Sequence, residues 1–112
     1  MGSSMLTTRN WSSTPRRALR PTEIVSRLAA LPGWTLAGDG ADVAIEKTYT
    51  FANYHETIAF VNAVAFIAHR QDHHPGLSVH YARCVVRWNT HDVQGLSETD
   101  FACAAQVDAL LA

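Results

Sequence analysis

The hydrophobic positions in the first half of the chain follow two different periods. Between residues 22 and 31 apolar side chains recur every three to four positions, which predicts a helix with Thr22 as its N-cap. A short strand is predicted over residues 34–36. Residues 43–51 then alternate between a mostly apolar set and a second set, which is typical of a strand with one buried face.

The second half of the chain repeats this arrangement. Asn53 followed by Glu56 has the spacing of a capping box, and it starts a long helical stripe of apolar residues. Pro75 forces that helix to end, and two alternating segments after it predict two more strands. A second capping box, Ser97 with Asp100, starts the last predicted helix.

The predicted order of elements is helix, strand, strand, helix, strand, strand, helix. Strands joined by short connections are expected to pair antiparallel, and helices with one apolar stripe each are expected to cover a single face of the sheet. The sequence therefore predicts an α+β fold with a four-stranded antiparallel sheet and three helices on one face. It contains no glycine-rich phosphate loop, which argues against a doubly wound nucleotide-binding fold.

Composition and charge narrow the possible functions. The chain has 112 residues, enough for one domain with its own core, and its 47% hydrophobic and 17% charged content is that of an ordinary globular protein. Its net charge of −1 provides no basic surface for nucleic acid or an anionic membrane. No apolar run reaches the ~20 residues that span a bilayer. We therefore expect neither nucleic acid nor a membrane as a partner.

The amino-terminal segment and the cysteines bear on location. Residues 1–21 are rich in Arg, Ser and Thr and lack acidic residues, as transit peptides do, but prolines interrupt them. We predict a disordered leader or an expression-tag remnant over 1–21 and a single domain over 22–112. Cys84 and Cys103 lie in apolar runs without CxxC spacing, which indicates buried, reduced thiols in a cytoplasmic protein.

Histidines gather at two places, where a helix ends and where a strand ends. The first motif contains two adjacent histidines, and the second begins fifteen residues after the proline of the first. In chain order the motif residues are Asp72-His73-His74-Pro75, Thr90-His91-Asp92, Gly95-Leu96-Ser97 and Asp100. With this order and spacing, residues 22–112 resemble the pterin-4a-carbinolamine dehydratase family, also called 4a-hydroxytetrahydrobiopterin dehydratase.

The resemblance implies a lyase that removes water from 4a-hydroxytetrahydropterin. This reaction protonates the departing hydroxyl at C4a and removes a proton from N5, which leaves quinonoid dihydropterin and water. Imidazole has an unperturbed pKa of about 6.5 and can donate or accept a proton near neutral pH, so histidines suit both steps. Through this reaction the family recycles tetrahydropterin for aromatic amino acid hydroxylation.

The resemblance also implies a role for each motif residue. His73 and His91 are expected to act as acid and base at the 4a-hydroxyl, and His74 is expected to hold the pterin. Asp100 is expected to support the site, although its position after Ser97 makes helix capping its larger predicted role. The other substrate-binding or supporting positions are Asp72, Pro75, Leu77, Thr90 and Asp92.

Cofactors and partners follow from the same resemblance. Proton transfer requires neither a metal nor an organic cofactor, so none is expected. The family implies a homodimer or homotetramer in which edge strands or helices of two subunits pair. It also implies a functional link to a pterin-dependent aromatic amino acid hydroxylase. Animal relatives bind a homeodomain transcription factor, so the alternative is a non-catalytic dimerisation or adaptor protein of the same fold. The retained histidines favour the enzyme.

Two positions depart from the family pattern, and the histidines allow one other interpretation. His69 stands where the family usually has Glu, which removes an auxiliary carboxylate, and Leu77 stands where some members have Trp, which changes how the pterin ring is covered. His69 and His73 also have the spacing of two metal ligands on a helix, to which His91 and Asp72 could add. Without a Cys or Glu motif, this metal interpretation is the weaker one.

The remaining histidines and the tryptophans are predicted to have structural positions. His55 and His80 lie outside both motifs and are predicted to be surface residues. Trp34 and Trp88 fall on apolar faces and are predicted to lie in the core. Trp11 belongs to the predicted leader and is given no fixed role.

Overall fold

A computed structural model describes residues 16–112, and this part of the chain contains three helices and four strands. In chain order they are α1 (Pro21–Ala29), β1 (Thr35–Ala37), β2 (Ala44–Thr50), α2 (Tyr54–Gln71), β3 (Gly76–Val79), β4 (Arg83–Trp88) and α3 (Glu98–Ala109). Short 3-10 turns lie at Gly40–Asp42 and His91–Val93. The predicted order of helices and strands and the predicted α+β class are confirmed.

The four strands form one antiparallel sheet in the order β1-β2-β4-β3. β2 and β4 are its central pair, with Ile45 opposite Trp88 and Tyr49 opposite Cys84. β3 pairs with the free side of β4, and β1 pairs with the free side of β2. Directly opposite residues in a pair point to the same face, so these four side chains lie on one side of the sheet.

The helices cover that side of the sheet and enclose one core. Ile45, Val86 and Trp88 are fully buried, and apolar side chains of α2 and α3 pack in the same cluster. α1 adds the half-buried Ile24 and Leu28 to this cluster. Burying an aliphatic or aromatic side chain of this size contributes about 1.5–3 kcal/mol. The two central strands therefore provide the surface that holds the helices together.

The second and third helices begin at the predicted N-caps. Asn53 Oδ1 accepts the Glu56 N–H at 2.9 Å, which satisfies a donor in the first turn of α2. The Glu56 carboxylate accepts the Ala52 N–H rather than that of Asn53, so only half of the predicted box forms there. At α3, the Asp100 carboxylate accepts the Ser97 N–H at 2.9 Å, which confirms the capping box and brings a carboxylate to the end of β4.

The predicted N-cap of the first helix is wrong. The cap is Arg20, not Thr22, and α1 starts at Pro21. Proline suits the first helical position because its missing N–H needs no partner there and its φ is already helical. The Glu23 carboxylate accepts the Arg20 N–H at 2.9 Å and closes the first turn. Hydrogen bonds from Arg17 and then from the Arg20 backbone lower the pKa of Glu23 to about 2.

The segment before α1 is attached to the domain. Most of the predicted leader, including Trp11, lies outside the described residues, but residues 16–20 are described. Leu19 is buried in the core, and its N–H donates to the Leu96 carbonyl at 2.8 Å. Leu19 thereby fixes this segment against the start of α3 and allows Arg16 to reach the end of α2.

Other sequence predictions concern single buried residues. Cys84 and Cys103 are free thiols and are buried, as predicted. Burial, with a smaller contribution from the negative charge of Asp100, raises the pKa of Cys103 to about 12. Trp34 and Trp88 lie in the core, as predicted.

Within residues 16–112 no helix has the length and apolar character needed to cross a membrane.

Candidate functional site

The end of α2 places two adjacent histidines in different environments. The helix ends at Gln71, and Asp72 adopts left-handed backbone geometry with φ of 49°. Pro75 cannot continue a helix, so the chain leaves in an extended direction. Across this turn His73 is 6% exposed, whereas the neighbouring His74 is exposed.

Three residues from separate parts of the fold fix the imidazole of His73. Its Nε2 lies 2.6 Å from Oδ1 of Asp100 on α3. The Trp88 ring at the end of β4 stacks on it, with ring centroids 5.5 Å apart and planes 14° from parallel. Its Nδ1 lies 3.3 Å from Nη1 of Arg16, in the segment before α1. Both ring nitrogens and one ring face are therefore occupied.

The Asp100 carboxylate is the centre of a buried polar network. It is fully buried, and its Oδ2 accepts the Thr90 hydroxyl at 2.7 Å as well as the Ser97 N–H at 2.9 Å. Because Thr90 donates to Asp100, its oxygen accepts the Ser97 hydroxyl, which lies 2.7 Å away. The same carboxylate therefore caps α3 and contacts His73.

The partners of His73 assign its tautomer. A guanidinium has only donors, so Nδ1 must accept the hydrogen bond from Arg16. A carboxylate has only acceptors, so Nε2 carries the proton that is shared with Asp100. These partners assign a neutral imidazole that directs its N–H towards Asp100 and its lone pair towards Arg16.

The second histidine motif forms a turn beside the first. The N–H of Thr90 donates to the Gly95 carbonyl at 2.9 Å, and this bridge closes the loop that contains the 3-10 turn His91–Val93. Thr90 is buried beneath the turn, whereas His91 is exposed. Within the described chain, neither the His91 ring nor the His74 ring has a hydrogen-bond partner. Both rings are therefore open to a ligand.

Two adjoining cavities are lined by these histidines. Both include His74, Asn89 and His91 in their walls. The larger, of about 390 Å³, is also lined by Asp42, Pro75, Gly76 and Arg87. The smaller, of about 190 Å³, is also lined by Arg16, His73, Thr90 and Asp92. The larger volume lies within the ~300–1,000 Å³ range of small-molecule sites, so a bicyclic ligand would fit.

Arg87 and Asn89 are held in place at the cavity wall. Arg87 donates to the Glu46 carboxylate at 3.2 Å and to the Asp42 carbonyl at 3.0 Å. The amide of Asn89 donates to the carbonyl of Val43. These bonds connect the 3-10 turn before β2 to the end of β4, so the polar groups of the wall have defined positions before any ligand arrives.

Another cavity of similar volume lies near the carboxyl terminus. It measures about 370 Å³, and Glu56 is its only titratable lining residue. Its other lining residues are apolar: Phe51, Ala59, Phe60, Ala63, Leu110 and Leu111. It offers no pair of groups for acid/base chemistry, so the histidine-lined cavities are the stronger candidate for a functional site.

Six of the nine site residues predicted from sequence line the histidine-lined cavities, and three do not. Leu77 is half-buried and packs against the hydrophobic core. Asp72 forms the C-cap of α2, and its carbonyl, not its carboxylate, contacts Arg16. Asp100 is fully buried and contacts Nε2 of His73 instead. His69, at the position where the family usually has Glu, is exposed on the last turn of α2 and also lines neither cavity.

Sequence reasoning did not identify five of the lining residues, namely Arg16, Asp42, Gly76, Arg87 and Asn89. Asn89 directly precedes the second histidine motif, and that position could have identified it. Arg16 lies in the segment assigned to the leader, and no local pattern distinguishes it from the other arginines there.

The alternative of a metal site has no geometric support in the described residues. Residues 16–112 contain no group of three or more His, Cys, Asp or Glu side chains that could hold a metal ion. His69 and His73 share a helical spacing, but His69 is exposed and both nitrogens of His73 are already bonded. The two residues therefore do not form the start of a ligand set.

Comparisons with known proteins agree on one family. Residues 17–110 match the sequence profile of the family described as Pterin 4 alpha carbinolamine dehydratase. A provisionally named pterin-4-alpha-carbinolamine dehydratase from Paracidovorax citrulli is 74% identical over 110 residues, which cover 98% of this chain and 95% of the relative. One from Xanthomonas campestris, with the same provisional name, is 56% identical over 92 residues, covering 82% of this chain and 76% of the relative.

Two solved structures are similar in fold. A transcriptional coactivator/pterin dehydratase from Brucella melitensis is 28% identical, with a TM-score of 0.79, and the match covers 86% of this chain and all of that one. A pterin dehydratase-like protein identified as a RuBisCO assembly factor in the alpha-carboxysome is 25% identical, with a TM-score of 0.59, covering 70% of this chain and 88% of that one.

Proposed function

The chain belongs to the pterin 4 alpha carbinolamine dehydratase family, and we propose that it converts 4a-hydroxytetrahydropterin to quinonoid dihydropterin and water by histidine acid/base catalysis. The observation that carries this proposal is the buried Asp100–His73 pair, 2.6 Å apart, at a cavity that is also lined by the exposed His74 and His91. Family membership supports the dehydratase class, and these contacts support the mechanism.

The reaction needs two proton transfers and no other chemistry. The C4a–O bond breaks, its electron pair leaves with the oxygen, and one proton converts the departing hydroxide to water. N5 loses its proton, and the electron pair of that N–H bond forms the C4a=N5 double bond. One group must therefore donate a proton and another must accept one on the same bicyclic substrate, and imidazole can do either.

We assign the accepting role to His73 and the donating role to His91. His73 and Arg16, the partner of its Nδ1, both line the smaller cavity, and Asp100 on Nε2 would stabilise the imidazolium formed when Nδ1 takes a proton. The exposed His91 would donate to the leaving hydroxyl. His74, which both cavities share, would hold the pterin between these two groups.

The larger cavity has the polar groups that a pterin requires. The aminopyrimidinone ring of a pterin presents two adjacent N–H donors and a carbonyl acceptor. Asp42 offers a carboxylate for the donors, and the anchored guanidinium of Arg87 offers donors for the carbonyl. We propose that these two residues orient the ring, with C4a towards the histidines.

Stopped-flow absorbance of freshly prepared 4a-hydroxytetrahydropterin tests the proposal directly. The protein should accelerate formation of quinonoid dihydropterin, and EDTA should not reduce the rate. His91→Ala should lower kcat by about a hundredfold, because general acid–base catalysis contributes roughly 10²–10⁴-fold. His55→Ala is the matched control, since this exposed histidine lines neither cavity. A wild-type rate equal to that of buffer would disprove the enzyme assignment.

The biological context of the reaction is also a proposal. Removing the 4a-hydroxyl would return the pterin to the pool that supplies a pterin-dependent aromatic amino acid hydroxylase. A coupled assay with such a hydroxylase should show faster sustained turnover when this protein is added. The His91→Ala variant should give no increase, because it retains the cavity but lacks the proposed proton donor.

A second candidate function is protein binding, alone or beside catalysis. The two similar solved structures are of a transcriptional coactivator/pterin dehydratase and of a RuBisCO assembly factor. β3 is an edge strand of the sheet, its Val79 is exposed, and the exposed rings of Tyr54 and Tyr81 stack nearby with centroids 6.4 Å apart. We propose self-association through this edge into a homodimer or homotetramer. Sedimentation should show an oligomer that Val79→Lys dissociates, and a monomeric wild type would contradict this proposal.

A further inference from the structure

An arginine outside the region matched by the family profile reaches the catalytic histidine. The profile begins at residue 17, and Arg16 precedes it. Its Nη1 lies 3.3 Å from Nδ1 of His73, while its Nη2 donates to the carbonyls of Gln71 and Asp72 at 3.3 and 3.2 Å. Arg16 also lines the smaller cavity. These contacts connect the segment before α1 to the site by one side chain.

We propose that Arg16 is a positioning residue that keeps Nδ1 of His73 unprotonated and directed towards the cavity until substrate arrives. The proposal rests on the proposed function, because it assigns His73 the accepting role. A guanidinium carries five N–H donors and no acceptor, so an imidazole nitrogen that faces it cannot also carry a proton. Arg16 thus has a direct physical effect on the state of His73.

Asp100 holds the opposite side of the His73 ring. Asp100 is fully buried, and its Oδ1 lies 2.6 Å from Nε2, so it accepts the proton on that nitrogen and leaves Nδ1 to be set by its other neighbours. A doubly protonated His73 could not accept the substrate proton. The other groups that contact the ring or its Nε2 are the indole of Trp88 and the hydroxyl of Thr90, which carry no charge. Among the described residues, Arg16 is the cation that contacts Nδ1.

The two Nη groups of Arg16 have different partners, so the contact of Nη1 with Nδ1 of His73 can be replaced while Nη2 keeps the side chain bound. Nη2 holds the last carbonyls of α2, where the helix dipole is negative and a cation is favoured. A substrate donor can therefore replace Nη1 at Nδ1 while Nη2 keeps the side chain in place. Leu19, buried three residues later, anchors the backbone from which Arg16 extends.

The variants Arg16→Ala, Arg16→Lys and Arg17→Ala test this role. Arg16→Ala should lower kcat about tenfold with KM changed less than threefold, because proton acceptance is affected more than pterin binding. Arg16→Lys should be intermediate, since one ammonium cannot hold both carbonyls and Nδ1. Arg17→Ala is the matched control, because Arg17 pairs with Glu23 on the surface and lines neither cavity.

Nitrogen-15 NMR of the histidine rings provides a readout independent of activity. At pH 7 the His73 Nδ1 signal of the wild type should be that of an unprotonated nitrogen, and Arg16→Ala should shift it towards the protonated value. Adding guanidinium ion below denaturing concentration should partly reverse the shift and restore kcat. A wild-type spectrum and wild-type kcat in Arg16→Ala would overturn the proposal, as would an equal loss in Arg17→Ala. An inactive wild type would refute the proposed function, while the spectra would still decide whether Arg16 controls His73.

Discussion

Replacing Asp100 by Asn separates its helix-capping role from its effect on His73. The carboxylate receives three donors: His73 Nε2–H on Oδ1, and the Thr90 hydroxyl and Ser97 N–H on Oδ2. An amide of the same shape has one acceptor oxygen and one NH2 group. Whichever way the Asn is oriented, at least one of the three donors loses its acceptor.

The two orientations of the amide have different costs. With the oxygen in the Oδ1 position, the backbone N–H of Ser97 faces an NH2 group and is left buried without an acceptor, at a cost of about 1–3 kcal/mol. With the oxygen in the Oδ2 position, the cap survives and the NH2 group faces His73. His73 can then move its proton to Nδ1, and the partly exposed Arg16 can turn towards water. The second orientation is therefore favoured, and it changes the tautomer.

We expect Asp100→Asn to fold but to lose most of its activity. Loss of a hydrogen bond to a charged group costs about 1.5–3 kcal/mol, so the free energy of unfolding should fall by about 2 kcal/mol and Tm by roughly 10 °C. kcat should fall between about tenfold and a hundredfold, because a proton on Nδ1 removes the acceptor. Urea titration and stopped-flow turnover, both well below Tm, measure the two effects on the same sample.

A variant at the start of α2 provides the control. Glu56 accepts the Ala52 N–H at 3.0 Å at this exposed helix end and lines neither histidine-lined cavity. Glu56→Gln therefore removes a capping charge alone and should leave kcat unchanged. If Asp100→Asn loses stability but keeps the kcat of the wild type, Asp100 is only a cap, and the reasoning about the tautomer of His73 is wrong.

Three further predictions concern residues outside this network. His69→Ala should lower kcat less than tenfold, and the kcat of His69→Glu should equal or exceed that of the wild type, since His69 is exposed and lines neither cavity. A hundredfold loss of kcat in the alanine variant would give His69 a catalytic role. Burial opposes ionisation of Asp108, but hydrogen bonds from Lys47 and two aromatic residues outweigh it and lower its pKa below 3.8. This stabilisation is therefore present above about pH 4 and lost as pH falls. Asp108→Asn should lower Tm at pH 7, and its Tm should then fall less than that of the wild type when the pH is lowered from 7 to 3. Cys84 and Cys103 are buried with raised pKa values, so neither should react with a thiol reagent in the native protein, while both should react in denaturant.

The fold was largely predictable because its signals are local. The alternation over residues 43–51 and the N-caps at Asn53 and Ser97 depend on neighbours within a few positions, and each corresponds to an element of the structure. The exception at Thr22 is instructive. Thr22 has the composition of an N-cap, but Pro21 suits the first helical position and moves the cap to Arg20.

The site was predictable as a set of residues but not as a set of contacts. The two histidine motifs identified His73, His74 and His91; His74 and His91 line both cavities, and His73 lines the smaller one. Leu77 was expected to cover the pterin ring but packs against the core, because the neighbours of a half-buried strand residue depend on which helix covers it.

Sequence alone determined the elements, their order, the family and the histidine motifs, since periodicity, capping and motif spacing are properties of short segments. The tertiary structure alone decided how those side chains are connected. Asp100 contacts the His73 imidazole although the two residues are 27 positions apart in the sequence. Arg16 contacts the other side of the same imidazole, and it is 57 positions from His73 in the sequence. The choice between a neutral and a charged imidazole depends on which donors and acceptors surround it in space. Chain packing sets that arrangement, and no local pattern in the sequence encodes it.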